Sequence, residues 1–266
     1  MKPSIPILCA AALAAAAGPA LALTEEELAR ELANPIASLI SIPFQNNWDA
    51  RIGPADDGSQ YRLNVQPVIP FSLSSDWNLI TRWILPVVRQ SEIFPGAGTQ
   101  SGIGDLLVSF FFSPVRPTAG GWIWGAGPVV LAPTGSDPLL TADRWAAGPT
   151  GVVLRQQGAW TIGMLGNHLW SFGGSSSRPD INASFLQPFA SFNAGGGWSY
   201  TVQAEATYDW ERRDASIPVG AFVGRVVRVG GLPVQFNIGP RYYVAHTDAG
   251  AKGWGLRFSA IVMLPR

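Results

Sequence analysis

The segment GWSYTVQAEATYDW, residues 197–210, sorts its side chains into two unmixed sets. Every second residue from Trp198 is apolar, and the residues between are Ser, Thr, Gln, Glu, Thr and Asp. Successive side chains of a β-strand point to opposite faces. This stretch therefore has one apolar face with aromatic rings at both ends, and one polar face with two carboxylates. The path from Trp198 to Trp210 is about 40 Å at about 3.4 Å per residue. Tilted by about 45°, it covers about 28 Å of depth, near the apolar band of about 25 Å, with its girdles, of an outer-membrane barrel.

The same period of two runs on from residue 37. Strand-like segments lie at about 37–49, 60–72, 76–89, 102–113, 121–133, 144–156, 159–172, 181–193, 197–210, 216–228, 232–245 and 253–265. They form an even set of about twelve, each long enough to cross a bilayer at a tilt. SLSSD (72–76), QQGA (156–159), NAGGG (193–197) and VGGL (229–232) are short connections. ARIGPADDGSQ (50–60), QSEIFPGAGTQSG (90–102), TGSDPLLTAD (134–143), FGGSSSRPD (172–180), WERRDAS (210–216) and HTDAGAKG (246–253) are longer and more polar. Alternation of this kind predicts an all-β fold, a transmembrane antiparallel up-and-down barrel with periplasmic turns and extracellular loops. SPVRPTAGG (113–121) falls on the short side and is longer than its peers. Pro67, Pro70, Pro86, Pro128, Pro149, Pro188 and Pro218 each remove a ladder donor, for which bulges are the expected accommodation.

The tryptophans sort with the strands. Trp77, Trp122, Trp160 and Trp198 begin rising strands and are predicted to ring the periplasmic interface. Trp48, Trp170 and Trp210 end rising strands, while Trp145 and Trp254 begin descending ones, which places all five at the outer interface. Only Trp83 and Trp124 fall deeper. The core of a soluble sandwich would not sort nine of 11 tryptophans to strand ends, whereas two aromatic girdles do.

Composition agrees. Hydrophobic residues make up 47% and charged ones 14% of the chain, against about 25% charged in soluble domains. The mature chain nevertheless has no apolar run of about 18 residues that could form a spanning helix. Zero net charge leaves no basic footprint for nucleic acid. Residues 1–22 read as a signal peptide: Lys2, an apolar run from about Ile5 to Ala17, and an Ala-x-Ala site ending at Ala22. Cys9, the one cysteine, lies inside it, so the mature chain has no disulfide or thiol chemistry. In residues 23–36, Thr24 and Glu27 have capping-box spacing and Pro35 stops the helix. That helix is expected to lie in the periplasm, the alternative being a plug. Residues 37–266 form the barrel.

An arginine at mid-depth on a lipid face costs about 2–4 kcal/mol, so the polar faces are assigned to the lumen. Arg82, Gln203, Glu205, Asp209, Arg241 and Arg257 are its candidate lining residues, as a substrate contact or as mutually paired filling. Arg225 breaks the pattern, sharing a face with Val223 and Val227, which calls for snorkelling or a bulge. No serine stands two residues after His168 or His246, as in an outer-membrane phospholipase, and no set of histidines, cysteines and carboxylates makes a metal site.

NPIASLISIPFQNNWD (34–49), LNVQPVIPFSLSSDWNLITRWILPV (63–87), GIGDLLVSFFFSP (102–114), GGWIWGAGPVVLAPT (120–134), AGPTGVVLRQQGAWTIGMLGNHLWSF (147–172), INASFLQPF (181–189), ATYDWE (206–211) and WGLRFS (254–259) resemble a bacterial outer-membrane transporter family. Its members are placed with phenol-degradation gene clusters and are sometimes mislabelled neuromedin U. The resemblance covers nearly the whole mature chain and carries no catalytic residues over. The terminal aromatic that assembly machinery commonly reads in barrel sequences is replaced by IVMLPR, in which Val262 and Leu264 keep the alternation. The expectation is a passive channel for small solutes, hydrophobic or aromatic ones included, in the bacterial outer membrane, with no enzymatic activity and no cofactor. Its partners are outer-membrane lipids, a small-molecule solute and the barrel assembly machinery. The rival reading is a closed structural or adhesive barrel acting through its outer loops; an outer-membrane hydrolase is a third.

Overall fold

The computed structural model describes residues 23–264; the segment read as a signal peptide, with Cys9, lies outside the described residues. A single helix, α1 (Glu25–Leu32), precedes fifteen strands. These are β1 (Ile40–Ile52), β2 (Gly58–Val65), β3 (Val68–Ser72), β4 (Trp77–Ser91), β5 (Thr99–Ile103), β6 (Leu106–Pro114), β7 (Trp122–Ala132), β8 (Arg144–Gln157), β9 (Trp160–Gly174), β10 (Asn182–Gly195), β11 (Trp198–Ala204), β12 (Ala206–Asp209), β13 (Asp214–Val229), β14 (Leu232–Ala245) and β15 (Gly253–Leu264). β2 continues into β3, β5 into β6 and β11 into β12, so the antiparallel sheet has twelve staves. β15 pairs with β1 from Ile40–Leu264 to Asp49–Gly255 and closes the barrel.

The breaks within staves have local causes. Glu205 donates its backbone N–H to the Pro218 carbonyl at 2.9 Å, but Pro218 has no N–H to return, so the ladder lapses there. Register is kept across the gap, with Ala204 opposite Val219 and Thr207 opposite Ser216. The β2/β3 break holds Gln66 and Pro67, whose N–H and carbonyl respectively bond Pro43 and Trp83 of the flanking strands. Bulges accommodate fewer prolines than expected. Pro218 sits at a register shift against β14, whereas Pro128 faces Pro149 in unbroken register.

The nine predicted girdle tryptophans all point outward and are 40–66% exposed. Trp77, Trp122, Trp160 and Trp198 stand at the end with short turns, and the other five at the end with long loops. Several meet aromatic partners across the ladder, Trp160 with Phe192 at 5.0 Å and Trp254 with Tyr242 at 4.9 Å between ring centroids. Trp124 is edge-on to Trp77 at 5.9 Å, which adds a second layer to the short-turn girdle. Arg225 also points outward. Its guanidinium lies 5.0 Å from the ring of Trp198, its cross-strand partner, so a cation–π contact at the girdle holds it there without a bulge.

The helix departs from the sequence expectation. Rather than lying free beyond the barrel, α1 is seated in the short-turn mouth. Its Leu28 and Ala29 are buried with Ala37, Leu39, Val226 and Met263. The cause is the apolar stripe of α1, which finds cover on the inward-facing Val226 and Met263 where the lumen would otherwise expose them. The capping box of Thr24 and Glu27 forms as the spacing predicts. Both ends of the helical segment are tied to the wall: Arg228 donates to the Leu23 carbonyl at 3.1 Å, and Gln156 to that of Arg30 at 2.9 Å.

Burying Leu28 contributes about 1.5–3 kcal/mol. Leu28→Asp should therefore unseat α1 while leaving the barrel intact. Trypsin cleavage after Arg30 is expected to accelerate by about tenfold or more, as befits local release of a segment, with the heat-modifiable gel migration of the barrel unchanged.

Candidate functional site

The inward faces are not alike around the barrel. On β1, β2, β11, β14 and β15 they carry polar and charged side chains, among them Asn47, Asp49, Arg62, Gln203, Arg241 and Arg257. On β4 and β6 to β10 apolar side chains alternate with neutral polar ones, and Arg82 on β4 is the charged residue of these strands that lines the chambers. Ile80, Phe111, Val152, Leu154 and Leu165 form one buried cluster with Ile36, and Phe185 and Phe189 pack against it.

The polar wall is organised around Glu205. Arg257 grips it with two hydrogen bonds, Nη1 to Oε1 and Nη2 to Oε2, both 2.8 Å. Arg241 reaches the same carboxylate at 3.5 Å and bonds Asp49 at 3.2 Å. Asn47 ties the two arginines together, accepting from Arg257 Nε at 2.7 Å and Arg241 Nη1 at 3.2 Å. Gln203 donates to Glu205 at 2.9 Å. Paired, planar contacts of this kind are what guanidinium and carboxylate groups do best away from bulk water. Arg82 stands apart from the ion pairs and donates to Gln66 at 2.8 Å.

Small residues opposite the arginines make the network possible. Gly220 and Gly255 flank Arg241 on the neighbouring strands, and Gly239 faces Arg257. A Cβ on Gly255 would lie 2.4 Å from Asp49 Oδ1, and one on Gly239 only 1.9 Å from the Ala221 carbonyl oxygen. A side chain at Gly255 would collide with the Asp49 carboxylate, and one at Gly239 with the backbone of β13.

The interior holds two chambers. The outer one, toward the long loops, has a volume of about 560 Å³ and touches both walls. The inner one, about 220 Å³, is bounded below by Leu32, Ala33 and Pro35 at the end of α1. Gln45, Gln66, Arg82, Gln187 and Arg257 line both, so the chambers meet at a polar waist. At the long-loop end, the segment 134–143 folds back onto the wall. Asp105, at the β5/β6 break, accepts from Gly135 N at 3.0 Å, Thr141 Oγ1 at 2.7 Å and Ala142 N at 2.7 Å, and Gln90 donates to the Leu139 carbonyl at 3.2 Å.

Five of the six predicted lining residues thus converge: Arg82, Gln203, Glu205, Arg241 and Arg257 all line a chamber. Asp209 does not join them. It caps the turn after β12, accepting from Glu211 N and Arg212 N and pairing with Arg212 at 2.7 Å. The carboxylate on the polar face of β12 is thus claimed by the turn at the rim. Sequence reasoning missed Asp49 and Asn47. Their signal is the alternation of β1, where Gln45, Asn47 and Asp49 share a face.

It also missed a His–Ser contact. The β9–β10 register sets Ser184 opposite His168, and their Oγ and Nδ1 are 2.8 Å apart. Trp210 Nε1 donates to the same Oγ at 2.9 Å. On the far side of the ring, His168 Nε2 is buried without a hydrogen-bond partner. A hydrolytic serine needs a base that a third group orients, and an Oγ open to substrate. Here no acid meets Nε2, and Oγ is engaged from both sides. The triad of rings and hydroxyl fastens the long-loop girdle.

No family model matches the chain, and no curated protein matches it. Among solved structures, it is similar to an outer membrane channel from Pseudomonas putida F1, with a TM-score of 0.68 and 16% identity over 85% of this chain and 96% of that one. It is also similar to outer membrane phospholipase A from Escherichia coli, with a TM-score of 0.53 and 11% identity over 90% and 97% of the two chains. The NanC porin follows at a TM-score of 0.51 and 7% identity, over 85% and 100%. Likeness at these identities is likeness of fold.

Proposed function

We propose that the protein is an outer-membrane channel for small solutes, with the barrel interior as its path. The observation that carries this reading is the outer chamber of about 560 Å³, walled by polar and charged side chains inside a closed barrel whose outer surface is apolar. Small barrels fill their interiors with side chains, and large ones leave a channel. In this twelve-stave barrel the side chains leave two chambers unfilled by protein. The fold likeness to an outer membrane channel from Pseudomonas putida F1 supports the same reading. Residues 1–22 act as its export signal, and the barrel assembly machinery inserts the mature chain. Membership among barrels of phenol-degradation gene clusters rests on the sequence resemblance. The girdle tryptophans Trp48, Trp77, Trp122, Trp145, Trp160, Trp170, Trp198, Trp210 and Trp254 set its depth in the bilayer, where indole rings prefer the headgroup level. A lipid hydrolase is disfavoured by the engaged Ser184 hydroxyl and the unpartnered His168 Nε2.

Conduction runs past two closures, α1 below and the waist between the chambers. Single-channel recording of the refolded protein should show discrete, narrow openings, and Leu28→Asp should raise the conductance by unseating α1. A folded barrel that stays silent in both forms would favour the closed barrel acting through its loops.

Glu205→Ala leaves Arg257 without its carboxylate, and losing one partner of a buried pair costs about 3–5 kcal/mol. Its heat-modified gel shift should move to lower temperature. Glu205→Met with Arg257→Met should recover most of the loss while altering the ratio of anion to cation permeability. Unmoved permeability in that double variant would remove the polar wall from the path.

A further inference from the structure

The charges of the outer chamber do not balance. Its lining contains four arginines, Arg62, Arg82, Arg241 and Arg257, and two carboxylates, Asp49 and Glu205. Both carboxylates are spent, Asp49 on Arg241 and Glu205 on Arg257 and Arg241. Among the described residues no carboxylate lies within ion-pairing distance of Arg62, and no side chain hydrogen-bonds its guanidinium, although that residue is exposed to the cavity. Arg82 hydrogen-bonds only the neutral Gln66 and meets Glu205 at a longer range than an ion pair. Two cations are therefore in excess inside a barrel that shields them from most of the bulk solvent.

The two are stations at different depths. Val68, the residue opposite Arg82, lies six positions beyond Arg62 on the same stave, about 20 Å along it at about 3.3 Å per residue. Arg62 is in the outer chamber, and Arg82 is at the waist where the chambers meet. The rest of the cavity lining has an apolar part: Ile84 is on Arg82's own strand, Leu107 on the next, and Leu131, Leu165 and Phe185 continue it around the barrel to the side across from Arg62. An unpaired guanidinium in a low-dielectric cleft concentrates anions and offers a carboxylate two parallel hydrogen bonds. An apolar surface in the same cavity rewards a solute that also has an apolar body.

We propose that the outer chamber binds small organic monocarboxylates with an apolar body, the carboxylate on Arg62 and the body against the Leu107–Leu165–Phe185 wall, and that Arg82 receives the carboxylate at the waist. This rests on the channel reading and names the class of solute. Inorganic anions meet only half of the site, and neutral apolar solutes the other half.

The refolded protein in planar bilayers tests it, with benzoate as the probe, benzamide as its neutral counterpart and acetate as its headgroup alone. In a potassium chloride gradient the reversal potential should report anion selectivity, reduced in Arg62→Gln with Arg82→Gln. Benzoate should block the current at concentrations where acetate and benzamide do not, and Arg62→Gln should weaken that block by about tenfold or more. Equal block by acetate, equal block by benzamide, or block untouched in the double arginine variant would each overturn the proposal. Equilibrium dialysis of benzoate against the same refolded proteins separates this from the channel reading. Saturable binding that the double variant loses, in a barrel that never conducts, would uphold the site and sink the channel. Conductance without saturable binding or block would do the reverse.

Discussion

Every backbone N–H and C=O held in lipid needs a partner within the protein, because water is not there to supply one and each orphan costs several kcal/mol. A sheet satisfies that condition only by closing on itself, as β15 does on β1. Much else is a consequence. Closure makes one face of every stave look outward and the other inward, so the period of two becomes a division between two solvents. The outward set must then be apolar over the hydrocarbon and aromatic where it ends, which the nine exposed tryptophans satisfy. Closure also limits where donors can be lost. At Glu205 the ladder lapses beside Pro218, yet the register on both sides is unchanged, and the carboxylate at the lapse is the one that two arginines hold.

A closed barrel of this girth leaves its inner faces to be filled or solvated, and the two walls solve this differently. The apolar wall packs Phe111, Ile80 and Leu165 together and accepts Ile36 from the N-terminal segment. The charged wall cannot pack in that way, since a buried guanidinium without a partner is expensive. It reaches satisfaction by geometry: glycines opposite Arg241 leave room for Asp49 and for the arginine itself, and Arg241 and Arg257 meet Glu205, Asp49 and Asn47. The network leaves a cavity of about 560 Å³ beside it that no side chain fills.

The architecture was legible in the chain because it is written locally. Two-residue alternation, the lengths of connections and the placing of tryptophans at strand ends are properties of neighbouring residues, and they predict twelve staves with boundaries a few residues from those observed. What could not be read depends on register between strands remote in sequence. Asp49 meets Arg241 across 192 positions, and Ser184 meets His168 only because β9 and β10 pair as they do. The seat of α1 belongs here too. Its cap is a four-residue signal, but whether its apolar stripe finds Val226 and Met263 depends on which inward positions of β13 and β15 lie at the mouth. Asp209 errs in the other direction: alternation sets it inward correctly, yet Arg212 claims it at the rim.

The unequal walls bear on why a barrel would retain unpaired cations at all. If the interior served stability alone, each arginine would have its carboxylate, as Arg257 has Glu205, or would be replaced by an aliphatic residue like those across the lumen, an exchange that is often neutral or stabilising for buried ion pairs. Arg62 meets neither condition. It faces the cavity without a carboxylate while Asp49, on the adjoining strand, is committed to Arg241. The guanidinium is tolerated there because the chamber is open enough to hydrate it. A site that water can hydrate is also one from which water can be displaced, and the cheapest displacement is by a carboxylate, which restores the hydrogen bonds and cancels the charge. The same arrangement limits how tightly a solute is held. An anion at Arg62 still sits near the fixed carboxylate of Asp49, and affinity kept low by that neighbour suits a path whose occupants must also leave.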